Sequence, residues 1–190
     1  NHRECGRNPA LAILDYLTND YYGMGKPLEF FDIESFKAAA TWCDENDFHI
    51  DGQLDNTQEF SKNIDDMLKC ANLSLTNGGD FIQLRYEDVE MPVQDFDEHN
   101  IINGTLEITE QNSSDYANVI EVEFNNTELD EEKDVFTLPE DVNSDPQIIE
   151  DGFVESVTLS MPLVRYAGSK RNDTYSPMKK IANRELARRK

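Results

Sequence analysis

The chain has 190 residues, of which 39 are acidic and 17 basic, giving a formal net charge of -22 at pH 7. Residues 165–190 carry nine of the basic residues and two acids, so this tail is +7 and residues 1–164 are -29. A body this acidic repels nucleic acid and anionic membranes, so we expect neither as a direct partner. Hydrophobic residues make up 38%, enough for a buried core, and no apolar run is long enough to span a bilayer.

The N-terminal stretch predicts a capped apolar helix that runs into an aromatic, glycine-containing turn. Asn8 can accept a hydrogen bond from a free amide of the first turn, and Pro9 suits the first helical position. We expect Gly23 and Gly25 to stop this helix. Its apolar face comprises Ala10, Ile13, Leu14 and Leu17.

Two further helices are predicted before residue 72. Asp32 caps one that runs to about Asp44, and Asn56, with Glu59 three residues later, forms a capping box for the next. Trp42 lies off the apolar face of its helix and is expected in a packing or interface role. The two apolar faces comprise Ile33, Phe36, Ala39, Ala40 and Cys43, then Phe60, Ile64, Met67, Leu68 and Ala71.

The remaining elements are mainly strands. Residues 73–76 and 81–86 alternate in polarity around Asn77-Gly78-Gly79-Asp80, which predicts a hairpin. Residues 119–124 alternate most regularly and predict antiparallel pairing with one face in water. A final helix is expected to begin at a Ser176 cap and carry its basic residues against the acidic body or a neighbouring subunit. Shorter strands are expected at 48–50, 106–108, 135–138 and 154–159, in a chain that is acidic and irregular over 87–100 and 125–150.

The order of these motifs resembles a module of phage tail-tip proteins, the host-specificity protein J family. The resemblance lies in Asn8-Pro9-Ala10, the following aliphatic run, and Tyr22-Gly23-Met24-Gly25. It continues through Cys43-Asp44 at the end of the second helix. Two later matches extend it to about Arg189: the Asn118-Val119-Ile120 strand, and Ala182-Asn183-Arg184-Glu185-Leu186-Ala187-Arg188 in the last helix.

The resemblance implies a structural protein of the tail tip, in which identical subunits, usually three, form a hub that closes the tail tube. We therefore expect a homotrimer in the full-length protein, contacts with other tail-tip and tail-tube proteins, and a place in the virion after synthesis in the bacterial cytoplasm. We expect no enzymatic activity and no cofactor.

The sequence predicts an α+β fold in two parts. Residues 1–95 form a helix-hairpin unit, and residues 96–190 form a β-rich hub segment closed by a basic helix. Because the chain starts with Asn1 and ends within a predicted helix, we expect a segment of a longer protein.

Residues 47–58 form the strongest candidate metal loop. Asp47, Asp51 and Asp55 fall at calcium-loop spacing, but His49 stands where the loop has Asp or Asn, and Gln58 replaces the bidentate Glu that completes the coordination. We expect a plain connection between helices, with a calcium-binding helix-loop-helix protein as one alternative function.

A tail-associated hydrolase is the second alternative, although the residues give it less support. The three histidines, His2, His49 and His99, are isolated, and no nucleophile or metal-protease motif occurs. Acidic pairs are expected to be solvated because acids are so abundant. Cys43 and Cys70 fall on apolar helix faces and are expected as buried thiols, not zinc ligands.

Overall fold

The structure is a computed structural model that describes residues 6–88, 97, 99–102, 105, 107, 116–126, 130, 132–165 and 177–189. Within these residues it contains five α-helices and two small sheets, which confirms the predicted α+β fold. The helices are α1 (Pro9–Thr18), α2 (Ile33–Glu45), α3 (Phe60–Lys69), α4 (Pro146–Asp151) and α5 (Pro177–Arg189), with a short 3-10 turn at Leu28–Phe30. The strands are β1 (Leu73–Asn77), β2 (Ile82–Tyr86), β3 (Val119–Asn126), β4 (Glu132–Leu138) and β5 (Ser156–Met161).

The first two helices begin where their caps predict. The Asn8 side chain accepts hydrogen bonds from the first-turn amides of α1, and Asp32 accepts one from the Glu34 amide of α2. The capping box predicted at Asn56 is wrong, because α3 begins only at Phe60. The Asp55 side chain instead binds the Thr57 amide in a local turn, and this turn delays the helix.

The larger sheet is mixed and not purely antiparallel. Strand β3 lies in the centre, antiparallel to β4 and parallel to β5. The antiparallel expectation therefore holds for β4 and fails for β5. The chain reaches β5 through α4, and this connection reverses its direction before it returns to the sheet. The alternation of apolar and polar residues in β3 indicates that one face of the sheet is exposed to water. It does not indicate whether each neighbouring strand is parallel or antiparallel.

The smaller sheet is the predicted hairpin of β1 and β2. Its register pairs Leu73 with Tyr86 and Asn77 with Ile82. The Asn77 side chain accepts a hydrogen bond from the Gly79 amide and closes the turn.

Other predicted elements differ from the structure. Residues 48–50 are not a strand, because their backbone amides bond to carbonyls in different parts of the chain. The Ile50 amide, for example, donates to the Arg7 carbonyl. Helix α4 was not predicted, although Asp145 caps it, Pro146 opens it and Gly152 ends it in the left-handed region. The strand predicted at 106–108 and the Ser176 cap lie outside the described residues, apart from Glu107.

One hydrophobic core runs from α1 to α5 and takes side chains from both predicted parts of the chain. Ile120, Val122 and Phe124 of β3 face it, as their alternation predicts. Trp42 is buried and stacks between Phe48 and Tyr86. The division of the chain near residue 95 stays a prediction.

The basic helix α5 docks on the acidic body, which confirms that prediction. Met178, Ile181 and Ala182 are buried against the core. Arg184 and Arg188 both contact the carboxylate of Glu87. Apolar packing and ion pairs therefore act together, and the exposed ion pairs contribute little each. None of the described helices is long and apolar enough to cross a membrane.

A buried asparagine joins the start of β3 to the approach of β5. Asn118 is 1% exposed, and its amide nitrogen donates to the Asp151 carboxylate at 2.8 Å and to the Phe153 carbonyl at 2.9 Å. Its oxygen accepts from the Glu155 amide at 2.8 Å. Both N–H groups and the oxygen of this side chain amide therefore bond to residues 151–155, just before β5.

We expect Asn118→Ala to lower the free energy of unfolding by about 1–3 kcal/mol, because Phe153 and Glu155 lose buried partners. Urea denaturation followed by circular dichroism measures this. The exposed Asn143→Ala variant is the matched control and should stay within about 0.5 kcal/mol of wild type. Equal loss in both variants would contradict a specific role for Asn118.

Cys43 and Cys70 are both buried, which confirms their predicted role as core thiols. Burial raises the pKa of each thiol to about 12. Both groups stay neutral in the folded protein at pH values where unfolded thiols ionise.

Because the folded pKa of these thiols exceeds the unfolded value, their contribution to stability is complete below the unfolded pKa of about 8.5 and declines toward pH 12. In a Cys5→Ser background, we expect Ellman's reagent to leave both thiols unmodified at pH 8 and to modify them fully in urea. Rapid reaction of either thiol in the folded protein would contradict this.

Candidate assembly surface

Two of the motifs that carry the resemblance meet at the junction of α1 and α2. The buried Asn8 amide donates to the Ala40 carbonyl at 2.8 Å and to the Asp44 carboxylate at 2.7 Å. Its oxygen meanwhile caps α1. The Asn8-Pro9 and Cys43-Asp44 motifs are therefore joined directly by a hydrogen bond.

Beyond α1, the chain folds back on the end of the helix. Helix α1 ends at Thr18, earlier than the glycines predict, with Asn19 as its C-cap. The Asn19 side chain accepts from the Tyr21 and Tyr22 amides, and the Met24 amide donates to the Tyr16 carbonyl at 2.9 Å. We call residues 19–26 the aromatic turn.

The two glycines of the aromatic turn are required by its geometry. A Cβ on Gly23 would lie 2.0 Å from the Tyr16 carbonyl oxygen and 2.9 Å from that of Asn19. Gly25 has a φ of +61°, in the left-handed region that favours glycine. The two glycines of this motif therefore let the chain pass close to the carbonyl groups at the end of α1.

The aromatic turn and the 3-10 turn after it expose large apolar side chains. Tyr21 is 96% exposed, and four more exposed hydrophobic side chains follow within nine residues. Tyrosine on a preorganised turn is typical of protein interfaces, because it buries much area at little entropic cost. The four are Tyr22, Met24, Leu28 and Phe30.

Acidic residues flank this surface. The Tyr22 hydroxyl donates to the Asp15 carboxylate, and this hydrogen bond raises the pKa of Tyr22. Asp20 and Glu29 are exposed beside the aromatic side chains. Exposed apolar side chains and acids are therefore interspersed along residues 15–30, and interfaces commonly combine both.

The acids of the predicted metal loop have separate partners. Asp51 pairs with Arg7, and Asp55 binds Thr57 and Gln58. The bonds from Thr57 hold the pKa of Asp55 below its usual value. Asp47 has a φ of +58° and ends the turn after α2. In the part of the chain that the structure describes, no three acids, histidines or cysteines are grouped to hold an ion.

The histidines are placed apart from one another. The His49 ring contacts the Asp47 carbonyl at 3.0 Å, and His99 lies 3.6 Å from the Asp97 carboxylate. Both are local contacts on exposed loops. His2 lies outside the described residues.

Sequence reasoning did not identify Asn19, Leu28 or Phe30 as part of this surface. Asn19 has a visible signal, because asparagine after a helix often bonds the following amides. Leu28 and Phe30 look like core residues in sequence, and only the 3-10 turn exposes them. No protein-family model matches the chain, and no curated protein sequence matches it.

Gly23→Ala should rearrange the aromatic turn and lower the free energy of unfolding by at least about 2 kcal/mol, because the new methyl group would overlap two carbonyl oxygens. Gly6→Ala is the control, since a Cβ there meets nothing within 4 Å. Chemical denaturation and amide spectra compare the two. A Gly23 variant as stable as the control, with unchanged Tyr21 and Met24 amides, would contradict this geometry.

Proposed function

We propose that the chain is a structural part of a phage tail tip that assembles with identical subunits through the aromatic turn. The observation that carries this proposal is the aromatic turn itself. The glycines that define the family-like motif hold a fully exposed tyrosine in place. A sequence under selection only for a stable monomer would have no need to keep Tyr21 in water.

The assembly step needs no bond chemistry. Burial of Tyr21, Tyr22 and Met24 against a neighbouring subunit would supply an apolar centre, while Asp20 and Glu29 would stay at its edge. Each copy carries -22, so identical subunits repel at long range. Apolar contact is therefore the better candidate for holding a ring together, and salt should assist it by screening.

The rest of the proposal follows the resemblance. The ring is a homotrimer in the full-length protein, it contacts other tail-tip and tail-tube proteins, and it resides in the virion. It supports host attachment and passage of DNA without binding DNA directly. Tape-measure and tail-assembly genes beside the gene would support this assignment.

A double Tyr21→Ala, Tyr22→Ala variant should reduce tail assembly in the phage or prophage that carries the gene, because it removes the centre of the proposed interface. The matched control, Ile149→Ala with Phe153→Ala, removes two exposed side chains from α4 and the loop after it. Plaque counts and electron microscopy of purified particles give the readout. We expect at least a tenfold loss of intact tails for the tyrosine variant only.

The proposed location of the protein at the tail tip is tested separately, with an antibody raised against this chain. Gold label at the distal end of the tail supports the proposal. Label on heads, or particles without the protein, would contradict it. Normal assembly by the tyrosine variant, with correct label at the tail tip, would keep the location and reject the aromatic turn as the interface.

A further inference from the structure

Strand β1 has an outer edge whose backbone groups point away from the hairpin. The Glu87 amide donates to the Asn72 carbonyl, and the Gly78 amide donates to the Phe81 carbonyl, at the two ends of the β1–β2 ladder. In an antiparallel ladder the bonded pairs alternate along the strand, so Ser74 and Thr76 also bond toward β2. The N–H and C=O groups of Leu73, Leu75 and Asn77 therefore point outward.

The outer edge of β2, by contrast, is already covered. The Ile82 carbonyl accepts from the Asp32 amide at 3.0 Å. The Leu84 amide donates to the Ser35 hydroxyl at 3.1 Å. Among the described residues, nothing bonds in this way to the outer edge of β1.

A groove of about 620 Å³ runs along this open edge. Leu73, Ser74 and Leu75 all line it. Side chains of consecutive strand residues point to opposite faces, so a groove that touches all three follows the strand edge and not one face. Ile64 and Leu68 of α3 form the opposite wall.

The edge also lacks the features that usually keep strands from pairing. Residues 73–77 read Leu-Ser-Leu-Thr-Asn and contain no charge and no proline, in a chain that is 29% charged. Strand β5 is likewise free of charge and proline, whereas β4 begins Glu132-Lys133-Asp134. Proteins protect free edges with charges, prolines or covering segments, so an edge that no described residue covers, beside a groove, indicates a strand-binding site.

We propose that this groove binds an extended segment of another protein as a third strand of the hairpin, between β1 and α3. Backbone hydrogen bonds to Leu73, Leu75 and Asn77 would supply affinity. Every second side chain of the segment would point toward Ile64 and Leu68, so these positions should be apolar. Met24 of the aromatic turn also lines this groove, but the proposal is argued from β1 and α3 and does not rest on the assembly role of the turn.

The charges around the groove and on the whole chain further restrict which segments can bind. At the rim of the groove, Asp65 and Glu87 are balanced by Lys69 and Arg188. The field of the whole chain, at -22, then disfavours acidic segments, and it favours a basic partner over a second copy, whose assembly through the aromatic turn has to overcome the same repulsion. The favoured occupant is an extended segment of a different protein with basic residues flanking its alternating apolar positions.

A display library of random twelve-residue peptides, selected against the full chain, tests this proposal. We expect selected peptides with apolar residues at alternate positions, basic flanks, and binding that weakens as salt rises. Leu75→Pro removes an outward N–H without removing a β1–β2 bond, and it should weaken binding about tenfold or more. Leu75→Val keeps the N–H and is the matched control.

A second measurement uses the unaltered protein, in case Leu75→Pro perturbs the fold. N-methylation along a selected peptide should abolish binding at every second residue and be tolerated between them. The proposal is overturned if no peptide is selected, if binding ignores both the Leu75→Pro change and N-methylation, or if the selected peptides are acidic.

Discussion

The fold depends on one side chain amide at the start of α1. Asn8 caps that helix with its oxygen and bonds the end of α2 with its nitrogen, so a single buried residue joins the start of α1 to the end of α2. Asn63 acts similarly, donating to the Tyr16 hydroxyl and to the Asp55 carbonyl. With Asn118, these are the buried polar residues among those described. Neutral amides suit this role in so acidic a chain, because they use donor and acceptor without adding charge.

Local chemistry predicted a large share of the fold. Asn8, Asp32 and the Asn77–Asp80 turn act as expected, because their signals involve residues within a few positions of one another. The Asn56 cap failed because Asp55 holds residues 55–58 in a local turn, through the Thr57 and Gln58 amides. The direction of β5 could not be read from the sequence, since parallel and antiparallel neighbours leave the same alternation in β3.

The sequence predicts the motif of the candidate surface but not the conformation that the motif adopts. The sequence shows the Tyr22-Gly23-Met24-Gly25 pattern, but only the fold places the Tyr16 carbonyl where a Gly23 side chain would lie. The open edge of β1 was likewise invisible in sequence. Which neighbour covers a strand is decided by distant residues, here Asp32 and Ser35 on the β2 side.

The central place of β3 in its sheet has a consequence for synthesis on the ribosome. Contacts of α1, α2 and the hairpin join segments made close together in time, so this region can become ordered early. Strand β3 emerges before both of its neighbours and before α5, which packs on it. Its contacts with α5 can therefore form only after about fifty more residues are translated, which takes about 2.5–10 s at about 5–20 residues per second. During that interval the nascent chain is most exposed to misassociation and to capture by chaperones.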